Sequence, residues 1–214
     1  MADPLRPYVI RQGDHLHALA DRHGFDPATV WNDPKNASVK SSRNDDPHML
    51  LAGDVIYIPE VRPTWLPITV GSTNTFKVPL KLVAVSARFM ADGKPLAGET
   101  YVVEGVDVPP GSLDGDGFFH AKVPARLRSL TLRLTARNEA YHLNIGDLDP
   151  PDSPSGLRMR LGMLGTYGRG HRSDADGTED LKFGLKQFQR ANKLPVTGEA
   201  DEATVAKVVD LFGR

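Results

Sequence analysis

The sequence predicts a multidomain α+β protein in which a β-α-α-β unit, a small β-sandwich and a three-helix bundle follow one another. Two observations lead to this prediction: proline-rich stretches interrupt the chain twice, and the hydrophobic periodicity changes at each interruption. Because proline fixes φ and lacks a backbone donor, we expect neither stretch inside a helix or a central strand. The stretches are "IPEVRPTWLP", Ile58 to Pro67, and "GDLDPPDSPSG", Gly146 to Gly156, and the predicted domains are residues 1–62, 63–150 and 151–214.

The composition is that of an ordinary globular protein and excludes several classes of function. The 214 residues are 40% hydrophobic and 25% charged. The net charge of -1 provides no basic field for nucleic acid or an anionic membrane. The chain has no cysteine, which excludes disulfide scaffolds, cysteine nucleophiles and thiolate zinc sites. An uninterrupted apolar run of about 18 residues does not occur, so we expect no membrane span.

The first segment begins with a short strand and an amphipathic helix. Val9 and Ile10 predict the strand, and Asp14, after a turn at Gly13, can cap the start of the helix. Apolar residues then recur at helical spacing, and a glycine predicts the end of the helix. These residues are Leu16, Leu19, Ala20 and Gly24.

The rest of the first segment predicts a second helix, a loop and a closing strand. Asp26 followed by Pro27 is typical of a helix start, with a cap and then proline at the first helical position. The polar stretch from Asn32 to His48 predicts a long loop. A Gly-Asp turn at Gly53 leads into a strand from Val55 to Ile58.

These residues resemble the LysM domain family. The stretch "YVIRQGDHLHALADRHG" is similar to the strand, Gly-Asp turn and helix of that family, and "LLAGDVIYIP" is similar to its closing strand. The sequence departs from the family pattern at His15, where Thr or Ser is common. It departs again between Asp33 and Met49, where the loop is longer than usual.

The resemblance implies a shallow groove for glycans of N-acetylated sugars such as GlcNAc. Backbone donors and acceptors walled by aliphatic side chains suit a neutral, amide-bearing ligand. The same turn is also needed to build the fold whether or not sugar binds, and this alternative stays open. One implied wall is Gly13, Asp14, His15 and Leu16, and the other is Leu50, Leu51, Ala52 and Gly53.

The middle segment predicts a β-sandwich. "LKLVAVSARF", "SLTLRLTA" and "AYHLNI" alternate with a period of two, as half-buried strands do. Asp-Gly turns in "ADGKPLAGETYVVEG" and "GSLDGDGFFHAKVP" separate further strand-like runs. The order of these strands and turns resembles transthyretin-like or bacterial immunoglobulin-like repeats, which implies an extracytoplasmic setting.

The last segment predicts a three-helix bundle. Asp201 and Glu202 lie in the first turn of the predicted last helix, where negative charge is favourable. The apolar faces are Leu157, Leu161 and Leu164; Leu181, Leu185 and Phe188; and Val205, Val208, Val209 and Phe212.

The last segment resembles the three-helix peptidoglycan-binding domain family. The residues that carry the resemblance are in "GLRMRLGMLGTYG" and "DGTEDLKFGLKQFQRANKLPVTGEADEATV", whereas the loop "YGRGHRSDADG" is longer and more polar than usual. The resemblance implies a shallow groove between helices, with Tyr167 and Asp176 as candidate binding residues. It implies packing roles for Leu164, Phe183, Phe188 and Leu194.

The sequence predicts no metal site, no cofactor and no catalytic centre. His15, His17 and His23 are spaced by two and six residues rather than four, so we expect separate, exposed rings. The "LDGDG" stretch from Leu113 to Gly117 lacks the distal glutamate of a calcium loop and predicts a turn. Asp174 and Asp176 are expected in a turn too. No nucleophile elbow, zinc-peptidase motif or cysteine-histidine pair occurs, so we expect no enzyme, although a hidden hydrolase stays an alternative.

Two functions remain open at this stage. The first is a non-enzymatic protein that attaches to or locates peptidoglycan through its two terminal modules. The second is an adaptor or accessory protein of a phage-tail-like contractile or type VI secretion machine, because LysM-like modules also occur there. "MADPLRPYVI" has no signal-peptide pattern, so we expect synthesis in the cytoplasm and action at the periplasm or wall, or export by such a machine. A mature chain whose signal was removed would look the same.

Overall fold

A computed structural model describes residues 4–60, 65–77, 80–167 and 178–212. The chain divides into two compact units, Met1–Asp147 and Leu148–Arg214. The described ranges contain six α-helices and four small antiparallel sheets, which confirms the mixed α+β class. No helix in these ranges combines the length and the hydropathy needed to cross a bilayer. The division into three domains stays a prediction, although the first unit contains two separate hydrophobic cores.

The N-terminal part of the first unit consists of two antiparallel strands, with a group of short helices between them along the chain. Strand β1 pairs with β2 from Leu5 opposite Pro59 to Val9 opposite Val55. Apolar side chains from the helices and from β2 form one buried core, which includes Leu19, Trp31 and Ile56. The elements are β1 (Leu5–Val9), α1 (Leu16–His23), α2 (Pro27–Trp31), α3 (Ala37–Ser42) and β2 (Val55–Pro59).

The ends of α1 and α2 follow the sequence signals, with one correction. Gly24 ends α1 in the left-handed conformation at φ 75°, and Asp26 caps α2 by accepting from Thr29 N at 2.8 Å. Asp14 does not cap α1, contrary to the prediction. His15 holds that position, and its Nδ1 accepts from Ala18 N, while the Asp14 carboxylate is engaged by Tyr8, Arg11 and others.

The stretch predicted as a long loop contains helical structure instead. A 3₁₀ turn at Pro34–Asn36 leads directly into α3. Asp33 caps the turn and proline occupies its first position, which together are a local helix-start signal. The prediction missed this signal because it relied on the polar composition of the stretch. The buried Asn36 amide then donates to Val30 O and Tyr57 O and accepts from Tyr57 N, so it ties this stretch to β2.

The second part of the first unit is β-structure around its own core. Strand β3 pairs with β8, and a second sheet has the order β10-β9-β6-β7. Phe119, Val123 and Leu132 are among the buried residues between them. The strands are β3 (Leu82–Arg88), β4 (Met90–Ala91), β5 (Lys94–Pro95), β6 (Thr100–Glu104), β7 (Gly111–Ser112), β8 (Phe118–Pro124), β9 (Ser129–Leu134) and β10 (Glu139–Asn144).

The Asp-Gly signals form turns, as the sequence predicts. Asp92 and Gly93 both have positive φ and connect the short hairpin of β4 and β5. In the "LDGDG" stretch the Asp114 carboxylate accepts from Asp116 N at 2.9 Å and from Phe118 N at 2.8 Å. This carboxylate therefore stabilises the turn that leads into β8.

The second unit consists of helices α4 (Pro154–Met163), α5 (Thr178–Ala191) and α6 (Glu202–Phe212). Their core contains Leu157, Leu161, Leu185, Phe188 and Val208, in agreement with the predicted apolar faces. Two expectations need correction. Pro154 lies inside a helix, because the first helical position uses no backbone N–H. Phe183, expected to be packed, is 46% exposed.

Candidate functional site

The Gly13–Leu16 turn, the first implied wall of a glycan groove, is buried inside the first unit. Asp14 is 3% exposed and His15 is 5% exposed, and Leu16 belongs to the hydrophobic core. Asp14 Oδ2 accepts from Tyr8 Oη at 2.9 Å and from Arg11 N at 3.1 Å. These side chains are thus occupied by contacts within the protein.

The β-structure of the same unit supplies one of those contacts through Arg128. Its Nη1 donates to Gly13 O, and its Nη2 donates to Asp14 Oδ1 at 3.2 Å. Arg22, from α1, lies 3.6 Å from the same carboxylate oxygen. Two guanidinium groups therefore compensate the buried charge of Asp14.

Further contacts join the Gly13–Leu16 turn and helix α1 to the β-structure of the same unit. Arg126 Nη2 donates to Asp21 O at 2.5 Å, and Gln12 Nε2 donates to Asp147 O at 2.7 Å. Gly146 lies so close that a Cβ there would be 2.8 Å from Gly13 O. The turn is consequently part of an interface between the two cores of the first unit.

The second implied wall, from Leu50 to Gly53, is partly exposed. Leu50 is buried in the core, Leu51 is half-buried, and Ala52 and Gly53 are exposed. Gly53 N donates to Ile10 O at 2.9 Å, so this loop lies beside the end of β1. Its exposed backbone is the part of the implied groove that solvent can reach, and its role in glycan binding stays a prediction.

Three histidines meet beside this turn, and sequence reasoning missed one of them. His15 and His17, from the start of α1, approach His48, which comes from the loop before β2. The rings of His17 and His48 stack at 4.6 Å, and those of His15 and His48 lie 6.0 Å apart. The expectation of separate exposed rings is therefore wrong for His15 and His17. His23 lies apart from them, against Tyr8 and Phe25.

Two histidines of this cluster, His15 and His17, have a lowered pKa. Burial lowers the pKa of His15 to about 4, and repulsion from His48, His17 and Arg128 adds to the effect. Burial likewise lowers the pKa of His17, with further lowering by His48 and Lys81. Neutral imidazole is the form that offers a nitrogen lone pair.

In the second unit, Tyr167 is the candidate binding residue that the structure describes. Its ring is half-buried at the edge of the core, and its backbone N donates to Leu161 O at 3.2 Å. The ring packs directly on Gly184 of α5, where a Cβ would lie 2.7 Å from Tyr167 Cδ2. A glycine at 184 thus permits this ring position. Asp176 and Asp174 lie outside the described residues.

Gln189 of α5 is a second residue that the sequence alone did not identify. It is completely buried, and its Oε1 accepts from Gly198 N at 2.8 Å. Its Nε2 contacts Thr197 Oγ1, Glu199 O and Thr204 Oγ1 at 3.0–3.1 Å. Gln189 therefore holds the loop between α5 and α6 against both helices.

Comparison with known families is informative for the second unit. Residues 157–208 match the sequence model of a family described as a putative peptidoglycan binding domain. This match supports a C-terminal helical domain of the peptidoglycan-binding kind and, at that coarse level, an association with the cell wall. No curated protein and no solved structure matches the chain.

Proposed function

We propose that this protein attaches to or locates peptidoglycan through its C-terminal helical domain and does not cleave it. The family match over residues 157–208 is the observation that carries the proposal. The matched residues include the whole buried core of the three helices, Leu157 to Val208. A domain with its own core can present a rigid binding surface.

Tyr167 is the proposed contact residue in this domain. A half-buried tyrosine combines an apolar ring face with a polar hydroxyl, which suits a sugar ring that carries amide and hydroxyl groups. Packing on Gly184 limits the movement of the ring, so little conformational entropy is lost on binding. The glycan or stem peptide would lie over the exposed side of this ring.

The N-terminal module, proposed to be LysM-like, would add to wall binding through the exposed backbone of Ala52 and Gly53. If both modules reach one glycan network, tethering raises the overall affinity by about 10²–10⁴ without new contacts. The proposed ligand is peptidoglycan glycan that contains GlcNAc, and the proposed location is the periplasm or cell wall.

A sedimentation assay with purified insoluble peptidoglycan tests the proposal. We expect the full chain and the fragment 148–214 to sediment with the wall, and no soluble muropeptides to appear in the supernatant. Retention of both proteins in the supernatant would contradict wall attachment. Release of muropeptides would support the hydrolase instead.

Replacement of Tyr167 by alanine is expected to weaken binding to the wall by about tenfold, the equivalent of roughly 1.4 kcal/mol of lost aromatic contact. The matched control is Tyr167→Phe, which keeps the ring that packs on Gly184 and should retain most of the binding. The bound fraction at increasing wall concentration gives both affinities. Equal binding by the wild-type protein and Tyr167→Ala would remove Tyr167 from the proposed site.

An adaptor role in a phage-tail-like contractile or type VI secretion machine is a second candidate. The observation that favours it is the buried Gly13–Asp14 turn, which contacts Arg128 rather than solvent. In a module whose turn is covered in this way, the turn contacts protein rather than a glycan. The segment 65–77 also carries exposed apolar residues, including Trp65 at 90% exposure, which could contact another protein. Absence of contractile-tail genes near the gene for this chain would contradict this role.

A further inference from the structure

We propose that His15, His17 and His48 bind a divalent transition-metal ion of the zinc type. Two of these residues belong to the start of α1 and the third to the loop that precedes β2, so a bound ion would join the two segments. Imidazole nitrogens suit zinc, copper and nickel rather than calcium or magnesium. The inference is independent of wall attachment.

A change of the His48 rotamer would bring the three rings to the spacing of a metal site. One ligand nitrogen from each ring can be chosen so that all three lie within 4.8 Å of one another. A zinc–nitrogen bond of about 2.0–2.1 Å in a tetrahedral site places two nitrogens roughly 3.3 Å apart. His48 is exposed, so rotation of its side chain can bring its nitrogen closer to the other two.

His17 provides the most direct sign of a missing ligand. Among the described residues, its Nδ1 has no hydrogen-bond partner although the atom is buried. A buried nitrogen without a partner costs free energy unless something binds to it. A metal ion at this position would satisfy the lone pair of Nδ1.

His15 has the second feature expected of a metal ligand, a hydrogen bond that orients its ring. It hydrogen-bonds to the backbone of Ala125 while its Nδ1 faces Ala18 N at 3.4 Å. Metal-ligating histidines generally donate their other ring N–H to a carbonyl or carboxylate. The contact with Ala18 is too long for a strong hydrogen bond, so a metal ion can replace it at Nδ1.

The loop that carries His48 is positioned by hydrogen bonds of its backbone. Leu16 N donates to Pro47 O at 3.3 Å, which attaches the loop to the start of α1. His48 N donates to Asp46 Oδ1 at 2.9 Å. His48 therefore needs a change of side-chain rotamer rather than a rearrangement of the loop.

Three protein ligands leave one position of a tetrahedral zinc site for water or another external ligand. We expect the ion to stabilise the first unit, since it binds the folded arrangement only.

Titration of the untagged full chain with Zn²⁺ alone tests the site by calorimetry and thermal melting. We expect one Zn²⁺ to bind per chain and to raise the melting temperature of the first unit. His48→Ala and His17→Ala should each weaken binding by about tenfold or more. Because His48 is exposed, its replacement leaves the fold intact, as circular dichroism would verify.

His23→Ala is the matched control, because His23 lies on the same helix but outside the cluster. It should bind Zn²⁺ like the wild-type protein. Absence of binding to the wild-type chain would overturn the proposal. So would equal affinity of the wild-type protein, His17→Ala and His48→Ala, because the ion would then be held elsewhere.

Discussion

Replacement of Gln189 by alanine is expected to lower the free energy of unfolding of the C-terminal unit by about 3 kcal/mol. The buried amide makes hydrogen bonds to Gly198 N, Glu199 O and two threonine hydroxyls. Alanine leaves the buried Gly198 N–H without its partner, and a buried unpaired group costs about 1–3 kcal/mol. The cavity left by the side chain adds to the loss.

Denaturant unfolding of the full chain, followed by circular dichroism at the helical band, measures this effect. Trp31 lies in the buried core of the first unit, and the chain's tryptophans are both outside residues 148–214. Tryptophan fluorescence therefore reports the first unit, and its transition should not change. In the wall-binding assay, Gln189→Ala should lose binding at a lower denaturant concentration than the wild-type protein, because unfolding removes the proposed Tyr167 surface.

Gln187→Ala is the matched control for this experiment. Gln187 lies two residues earlier on the same helix and is half-buried rather than fully buried. We expect its replacement to change the stability by no more than about 0.5 kcal/mol. If the two variants were equally stable, the hydrogen bonds of Gln189 would not be what holds the loop between α5 and α6.

Replacement of Asp14 by alanine should destabilise the first unit by about 2–3 kcal/mol. The loss arises mainly from Tyr8 Oη and Arg11 N–H, which lose a buried carboxylate acceptor. Arg22 and Arg128 are about half as exposed as free side chains and can regain water, so their ion pairs contribute less. The same change weakens the interface between the turn and the β-structure.

Tryptophan fluorescence during denaturant unfolding measures the stability of the first unit in Asp14→Ala. Asp14→Asn should lie between alanine and the wild-type protein, because it keeps one acceptor oxygen but loses the charge. Asp116→Ala is the control, since Asp116 is exposed on a turn of the same unit, and its effect should be within about 0.5 kcal/mol. A change as small for Asp14→Ala as for Asp116→Ala would contradict the structural role of Asp14.

These two predictions separate the roles of the two units. In moderate denaturant, loss of Gln189 should reduce wall binding, whereas loss of Asp14 should leave a folded C-terminal domain that still binds. If Asp14→Ala alone abolished sedimentation, the first unit rather than the second would carry the affinity. If the wild-type protein bound the wall only weakly and neither variant changed that binding, the adaptor role would be favoured.

Much of the local structure could be predicted from the sequence. The end of α1 at Gly24, the cap at Asp26 and the hairpin turn at Asp92 each depend on residues within a few positions of one another. The same holds for the apolar faces of the last three helices, where the spacing of leucines, valines and phenylalanines identifies the buried side. The family match over residues 157–208 agrees with that local pattern.

The helical content of the stretch after Asn32 was missed because its polarity was read as a loop, although Asp33 and Pro34 provide a local start signal. Tertiary contacts add to that signal: Val39 is half-buried against the core, and Asn36 is hydrogen-bonded to β2. Phe183 illustrates the opposite error: an apolar residue on a helix is not necessarily in the core. In both cases, the contacts of the residues with the rest of the protein matter as well as the local sequence pattern.

The sequence by itself determined the end of α1 at Gly24, the absence of cysteine chemistry and the peptidoglycan-binding pattern of the last helices, because each of these depends on composition or on short-range spacing. Only the tertiary structure decided that Arg128 would cover the Gly13–Asp14 turn and that His48 would join His15 and His17. These residues are far apart along the chain, and no periodicity links them. These contacts depend on how the two cores pack and on the cost of leaving buried charged and polar groups without partners.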